Sequence, residues 1–260
     1  MTIFKYITCI VEDRVGIITL NRPEKRNALS YDLISELEVA FEKCELDSHV
    51  SVIVLKANGD AFCAGADIAD LQRLQTYSFE QNLADSNHLK ELFLRIYTLK
   101  KVVVAQVQGP ALAGGCGLAT VCDFVFTVPK AKFGYPEVKI GFIPAIVMIF
   151  LLRKIGEGKA KRLLLSGDQF SAEQAYQMGI VHEIVAPEIL NKHVLDFAKR
   201  LVRTNSSHAM MLTKQMTTKL YSMSLQESLS FAADMNARAR ESDDFKRGVA
   251  SFLNKENIEW

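Results

Sequence analysis

Between Gly109 and Phe142 the chain reads GPALAGGCGLATVCDFVFTVPKAKFGYPEVKIGF, and two features of this stretch are able to do chemistry. Gly114, Gly115 and Gly117 follow a β-type run, KVVVAQVQ, and lead into an apolar run that reads as the start of a buried helix. With no Cβ in the way, backbone N–H groups at such a strand-to-helix turn can point at negative charge, and the helix dipole adds to their pull. Small residues serve close packing of a helix on a sheet equally well, so the cluster by itself leaves both readings open. The second feature is Glu137, which follows Pro136 in a loop. Pro136 biases Tyr135 towards extended backbone, and both neighbours, Tyr135 and Val138, are weakly polar or apolar. Burial there would raise the carboxyl pKa towards the range a general acid or base needs. A solvated surface carboxylate is the competing reading.

A second junction upstream shifts that balance. Ala61 to Ile68, AFCAGADI, follows the strand-like SVIVLKA and again places a glycine, Gly65, before a helix-compatible segment. Two N–H sources of this kind, together with NRPEKRNAL at 21–29, resemble the crotonase (enoyl-CoA hydratase/isomerase) superfamily over the whole chain. The resemblance implies an acyl-CoA thioester substrate whose carbonyl oxygen is held by the N–H groups of Ala66 and Gly114, with Glu137 as the catalytic carboxylate. It further implies that Ala64, Asp67, Ile68, Gly117 and Tyr135 lie along the substrate. Lys25 and Arg26, a pair that would otherwise pass as solvated surface, become candidates for the coenzyme A phosphates, where Arg offers a fork and Lys a point charge. Lys255, in FLNKE, aligns with a tail lysine that reaches coenzyme A. Coenzyme A comes as part of the substrate, so no separate cofactor is expected, and the five histidines are too scattered to suggest a metal.

Several positions depart from the family pattern. Two-carboxylate hydratases place their first glutamate three residues after the N–H-donating glycine, and here that residue is Gly117. Many carry a Gly-Gly-Thr-Gln-like helix start where this chain has Ala145, Ile146 and Val147. The tail ends in NKENIEW, not in a basic, proline-containing finish, and Arg247 stands where an acidic residue is common. Exchanging Glu for Gly removes a charge and is expected to open volume beside the acyl β-carbon, which suits a β-methyl group or a carboxylate-bearing tail. The chain therefore resembles a one-glutamate subgroup that includes bacterial methylglutaconyl-CoA hydratases of leucine and isoprenoid breakdown. Enoyl-CoA isomerases with a single carboxylate are the alternative, and a non-catalytic acyl-CoA or RNA binder is a third.

The elements that must position these groups alternate between strands and helices. YITCIVED and VGIITL read as a hairpin, and Ser30 caps a helix from Tyr31 to Leu46 with Leu33, Leu37, Ala40, Phe41 and Cys44 on one stripe. Ser51 to Ala57, Val102 to Val107 and Phe124 to Val128 read as further strands, whereas Ala69 to Asn87 shows little periodicity and is assigned a substrate-facing role. Strands separated by helices imply an α/β fold with a mainly parallel sheet, matching the crotonase spiral of ββα turns. Residues 1–186 are taken as the spiral core with the acyl-CoA site and 187–260 as a helical C-terminal region. In the family that region builds a homotrimer or a dimer of trimers.

The whole sequence bounds these readings. Its 260 residues, 49% hydrophobic and 23% charged, describe an ordinary globular chain with room for a sizeable core. A net charge of +1 argues against a nucleic-acid surface. Five cysteines without a CxxC suggest neither a disulfide framework nor a zinc site and fit a reducing cytoplasm. The N-terminus is unlike a signal peptide, and the longest apolar run, Ile143 to Leu152, is too short to span a bilayer, so no membrane partner is expected.

Overall fold

The computed structural model describes residues 3–260. Asp13 and Arg14, both left-handed at φ 49° and 63°, turn strand β1 (Ile7–Glu12) into β2 (Val15–Leu20). Two successive left-handed residues match the right-handed twist of the flanking strands, which makes this a tight hairpin with Ile7 opposite Leu20 and Glu12 opposite Val15.

The chain continues through α1 (Tyr31–Leu46), β3 (Val52–Ala57), α2 (Ile68–Leu74), α3 (Phe79–Thr98), β4 (Val102–Val107), β5 (Ala111–Leu112) and α4 (Gly114–Val121). Then come β6 (Phe124–Thr127), β7 (Lys132–Gly134), a 3-10 turn at Pro136–Ile140, α5 (Ala145–Ile155), α6 (Glu157–Ser166), β8 (Gln169–Ser171), α7 (Ala172–Met178) and β9 (Glu183–Ile184). Four helices finish it: α8 (Leu190–Thr204), α9 (Ser207–Leu220), α10 (Leu225–Glu241) and α11 (Asp243–Asn254).

Six strands form one sheet in the order β1-β2-β3-β4-β6-β9, parallel from β2 onward, and β5, β7 and β8 form a second, smaller sheet. Every residue of β2 and β4 is buried, as near-continuous apolar runs in a parallel sheet covered on both faces require. α1 packs on β1 and β2, while α8 lies across β2, β3, β4 and β6. Ser30 accepts the Leu33 N–H and caps α1, whose buried stripe includes the five residues expected from its periodicity.

Two segments show what periodicity alone does not. Ala69 to Asn87 is mostly helical, spanning α2 and the first half of α3. A reciprocal cap between Ser78 and Gln81 starts α3, and only Leu92, Phe93 and Ile96 of its later turns are buried, so its polar first turns carry no core stripe to read. The second is α8, which lies beyond residue 186 yet buries Leu190, Val194, Ala198 and Val202 against the sheet. α9 is tied down as well, because the Lys214 ammonium donates to Ile96 O, Lys101 O and the Asp123 carboxylate. α10 and α11 bury no residue within the chain. Among the described residues no helix is long and apolar enough to cross a membrane.

Candidate active site

The segments after β3 and before α4 are zipped together by backbone. Cys63 and Ala111 form a parallel bridge, with Leu112 N donating to Cys63 O at 3.0 Å and Phe62 N to Pro110 O at 3.1 Å. From the other side Leu29 brackets Ala66: its N–H donates to Gly65 O at 2.7 Å and its carbonyl accepts Asp67 N–H at 3.0 Å. That pattern turns the N–H of Ala66 away from Leu29. Gly65 has φ +98°, and a Cβ on it would lie 2.9 Å from the Cβ of Ala113, so only glycine lets the two junctions come this close. Ala113 itself sits at φ 51°, ψ −127°, a strained conformation for a residue with a side chain, held directly before Gly114 opens α4. Among the described residues neither Ala66 N–H nor Gly114 N–H has an acceptor in the protein. Two free donors thus stand at adjacent junctions, and the dipole of α4 points its positive end the same way.

Glu137 leaves the same edge of the small sheet. β5 and β7 are parallel with Leu112 opposite Gly134, and Ala113 N donates to Gly134 O at 2.8 Å. Past that pair one chain runs into Ala113–Gly114 and the other into Tyr135, Pro136 and Glu137. Glu137 is 8% exposed, and its Oε2 has no hydrogen-bond partner in the protein. Burial pushes its carboxyl above the ordinary value, and its own backbone N–H offsets part of that rise.

The surroundings correct two expectations. Tyr135 is wholly buried in the core and its hydroxyl lies 2.9 Å from Thr120 Oγ1, so its side chain is turned away from any surface a substrate could reach. Gly117 opens no volume. A Cβ there would lie 2.6 Å from Val147 Cβ and 3.1 Å from Phe93 Cε1, because α5 packs its Val147 into the notch. The far end of α4 is held by Lys154, whose buried ammonium donates to Thr120 O and Cys122 O at 2.8 and 2.7 Å; burial brings its pKa down to about 8.

The loop before α1 flanks the first junction. Ala64 N donates to Arg26 O at 3.0 Å, which places Lys25 and Arg26, both exposed and without an acidic partner among the described residues, beside Ala64–Ala66. Ile68 is exposed at the start of α2. Asp67 is buried, caps α2 through Ala69 N–H and pairs with Arg22 at 2.6 Å. Burial works to raise its pKa, but the Ala69 N–H and Arg22 outweigh it and the carboxyl ends below its ordinary value.

Arg22 and Asn27 escaped the reading of NRPEKRNAL. The Asn27 amide is fully buried at φ 53°; it donates to Asn58 O and Ala61 O at 2.8 and 2.9 Å and accepts Arg22 N–H at 2.9 Å. Asparagine's tolerance of left-handed backbone was the available signal. A cleft of about 630 Å³ lies outside Asp67, between Tyr6, Arg22, Asp32, Asp70 and Arg73, and is lined by none of Ala66, Gly114 or Glu137.

Lys255 is not brought to this site by its own chain. It ends α11 as an exposed left-handed residue, and the tail beyond it runs to Trp260, whose N–H donates to Arg203 O and whose carbonyl accepts from Arg14 at 2.6 Å. Arg14 lies where β2 begins, at the opposite end of the sheet from the junctions that follow β3 and β4.

Comparison with known proteins shows the family and the fold. The model of the enoyl-CoA hydratase/isomerase family matches residues 11–260. The mitochondrial enoyl-CoA hydratase of Pongo abelii is 36% identical over 97% of this chain and 86% of its own length, and the crotonyl-CoA hydratase of Syntrophomonas wolfei is 33% identical over 94% and 93%. A crystal structure of an enoyl-CoA hydratase from Shewanella pealeana superposes with a TM-score of 0.93 at 31% identity, covering 99% of this chain and 96% of that one. With its α/β crotonase fold matched nearly end to end, the chain belongs to the enoyl-CoA hydratase/isomerase family.

Proposed function

We propose that this enzyme hydrates a branched enoyl-CoA such as 3-methylglutaconyl-CoA, or dehydrates the corresponding tertiary alcohol, with Glu137 as its only acid/base group. The observation that carries the reading is the buried Glu137 carboxyl, whose Oε2 lacks a partner and which leaves the same sheet edge as Ala113–Gly114, where a backbone N–H is free. The thioester oxygen accepts from Ala66 and Gly114. Glu137 takes a proton from water as the water oxygen bonds to C3, the C2–C3 π electrons move onto the thioester oxygen, and the same carboxyl then protonates C2 on that face. Donors fixed in place stabilise the enolate without reorganisation.

A branched, acidic acyl group is supported by charge, not by volume. Val147 fills the space a carboxylate side chain at position 117 would need, so that position brings no negative charge against a substrate carboxylate. Lys25 and Arg26 suit the coenzyme A phosphates, with Ala64 and Ile68 along the thioester arm. Lys255 would reach coenzyme A only from a neighbouring copy, in a homotrimer or a dimer of trimers. The exposed stripe Phe245, Val249, Phe252 and Leu253 on α11, and the exposed Ile140, Phe142 and Ile143 after Glu137, supply apolar surface for such an assembly.

One observation favours isomerisation as the second reading: apolar Val147 cannot hold a water in place. In that case Glu137 shuttles a proton between C2 and C4. A panel of straight and branched acyl-CoAs in ¹⁸O-labelled water separates the two. Hydration of methylglutaconyl-CoA with label in the product, lost in Glu137→Gln, is the expected result, whereas double-bond migration without label would replace the hydratase assignment.

A further inference from the structure

The catalytic reading leaves the cysteines unused, and two of them meet across the N-terminal hairpin. Cys9 on β1 and Cys44 in the last turns of α1 stand with their sulfurs 3.8 Å apart. Cys9 is partly exposed and Cys44 is buried, whereas Cys63, Cys116 and Cys122 are all buried. The backbone makes room for the contact: a Cβ on Gly16 of β2 would fall 2.8 Å from Cys44 Sγ, so a larger residue there would push the sulfur off its place.

We propose that Cys9 and Cys44 are a peroxide-sensitive pair that closes to an intramolecular disulfide between β1 and α1. The hydrogen bond with Cys44 brings the Cys9 thiol down to about 7 against the effect of its burial, with Lys43 adding to the shift, while the same bond and burial raise Cys44. Cys9, the partner that solvent reaches, is therefore the attacking thiolate, and the buried Cys44 is the resolving thiol. Cys9 Sγ attacks one oxygen of hydrogen peroxide; the O–O bond breaks, the leaving oxygen departs as water after protonation, and Cys9 becomes a sulfenic acid. Cys44 Sγ then attacks that sulfur, the S–O bond breaks, and the hydroxide leaves as water with the Cys44 proton. Two thiols lose two electrons and two protons, and the peroxide takes up both. The sulfurs need close only from 3.8 Å to the bonded separation of about 2.05 Å.

The test treats the full chain with hydrogen peroxide and follows intact mass, free thiols and melting. The expected result is loss of about 2 Da and of two of the five free thiols, located by peptide mapping to Cys9 and Cys44 and reversed by dithiothreitol. Melting should rise by roughly 5 °C or more, since the bond closes a loop of some thirty-five residues. Cys9→Ser and Cys44→Ser should each abolish the mass loss while keeping the untreated melting temperature within a few degrees. Stable addition of oxygen to Cys9 with Cys44 still free, or disulfides that link two chains, would overturn the proposal.

Discussion

Val147 of α5 fills the notch left by the missing side chain of Gly117 on α4: a Cβ on Gly117 would lie 2.6 Å from Val147 Cβ. The two positions are coupled, and neither changes freely alone. Gly117→Ala should lower stability by about 1–3 kcal/mol through overpacking, although alanine is the better helix former by roughly 1 kcal/mol. Adding Val147→Gly, which removes the opposing Cβ, should return part of that loss, giving a coupling of about 0.5–3 kcal/mol in a denaturant double-mutant cycle. Additive losses would show that the notch does not connect the two residues. Gly117→Glu by itself should therefore impair all substrates alike, and the charge argument is tested in a Val147→Gly background, where the new carboxylate should cost methylglutaconyl-CoA turnover more than crotonyl-CoA turnover.

Replacing Glu137 by Gln should reduce kcat by about 100- to 10,000-fold, the range for a positioned acid or base, and a loss below threefold would remove it from the chemistry. Wild-type activity should fall on the acid side as the carboxyl, raised by burial, takes up its proton.

The same raised pKa predicts a stability effect of known sign. The folded state holds its Glu137 proton more tightly than the unfolded chain, so stability falls as pH rises from the ordinary glutamate value of 4.5 through the raised one. Glu137→Gln should therefore melt higher than the parent at pH 7, with the gap closing as pH drops towards 4. A variant that melts lower at neutral pH would mean that the carboxylate has a stabilising partner.

Gly65→Ala should displace the Ala66 N–H, because the added methyl meets the Cβ of Ala113 at 2.9 Å and φ +98° disfavours a side chain. The loss of one oxyanion donor corresponds to roughly 100-fold or more in kcat. Pairing it with Ala113→Gly, which removes the opposing methyl, should recover part of the rate. Full activity of the single variant would sink the role of this junction.

Asn27→Ala should cost about 2–4 kcal/mol, since it strands the carbonyl of Asn58 and the N–H of Arg22 and leaves Ala61 O with the Gln108 amide alone. Asn27→Asp should be worse at neutral pH, because it sets an acceptor against two carbonyls. Equal melting curves for parent and variants would show that the loop is held by other contacts.

Local rules were enough for much of the architecture. The alternation of apolar strands with amphipathic helices, the hairpin at Asp13–Arg14 and the Ser30 cap each depend on neighbours within a few residues, and the structure places each where the sequence suggests. The two glycine junctions and Glu137 were likewise visible as residue types. What the chain does not spell out is long-range: that Leu29 and Ala113 clamp the first junction from two sides, that Tyr135 turns inward to Thr120, and that α5 sends Val147 into the space of Gly117. A missing side chain reads as an opening in sequence, yet a close-packed interior fills it from whichever element lies opposite. Residue type and spacing thus determined which groups are candidates for the chemistry, while packing between elements far apart in the chain decided which of them stay unpartnered, which are turned into the core, and how much room is left between them.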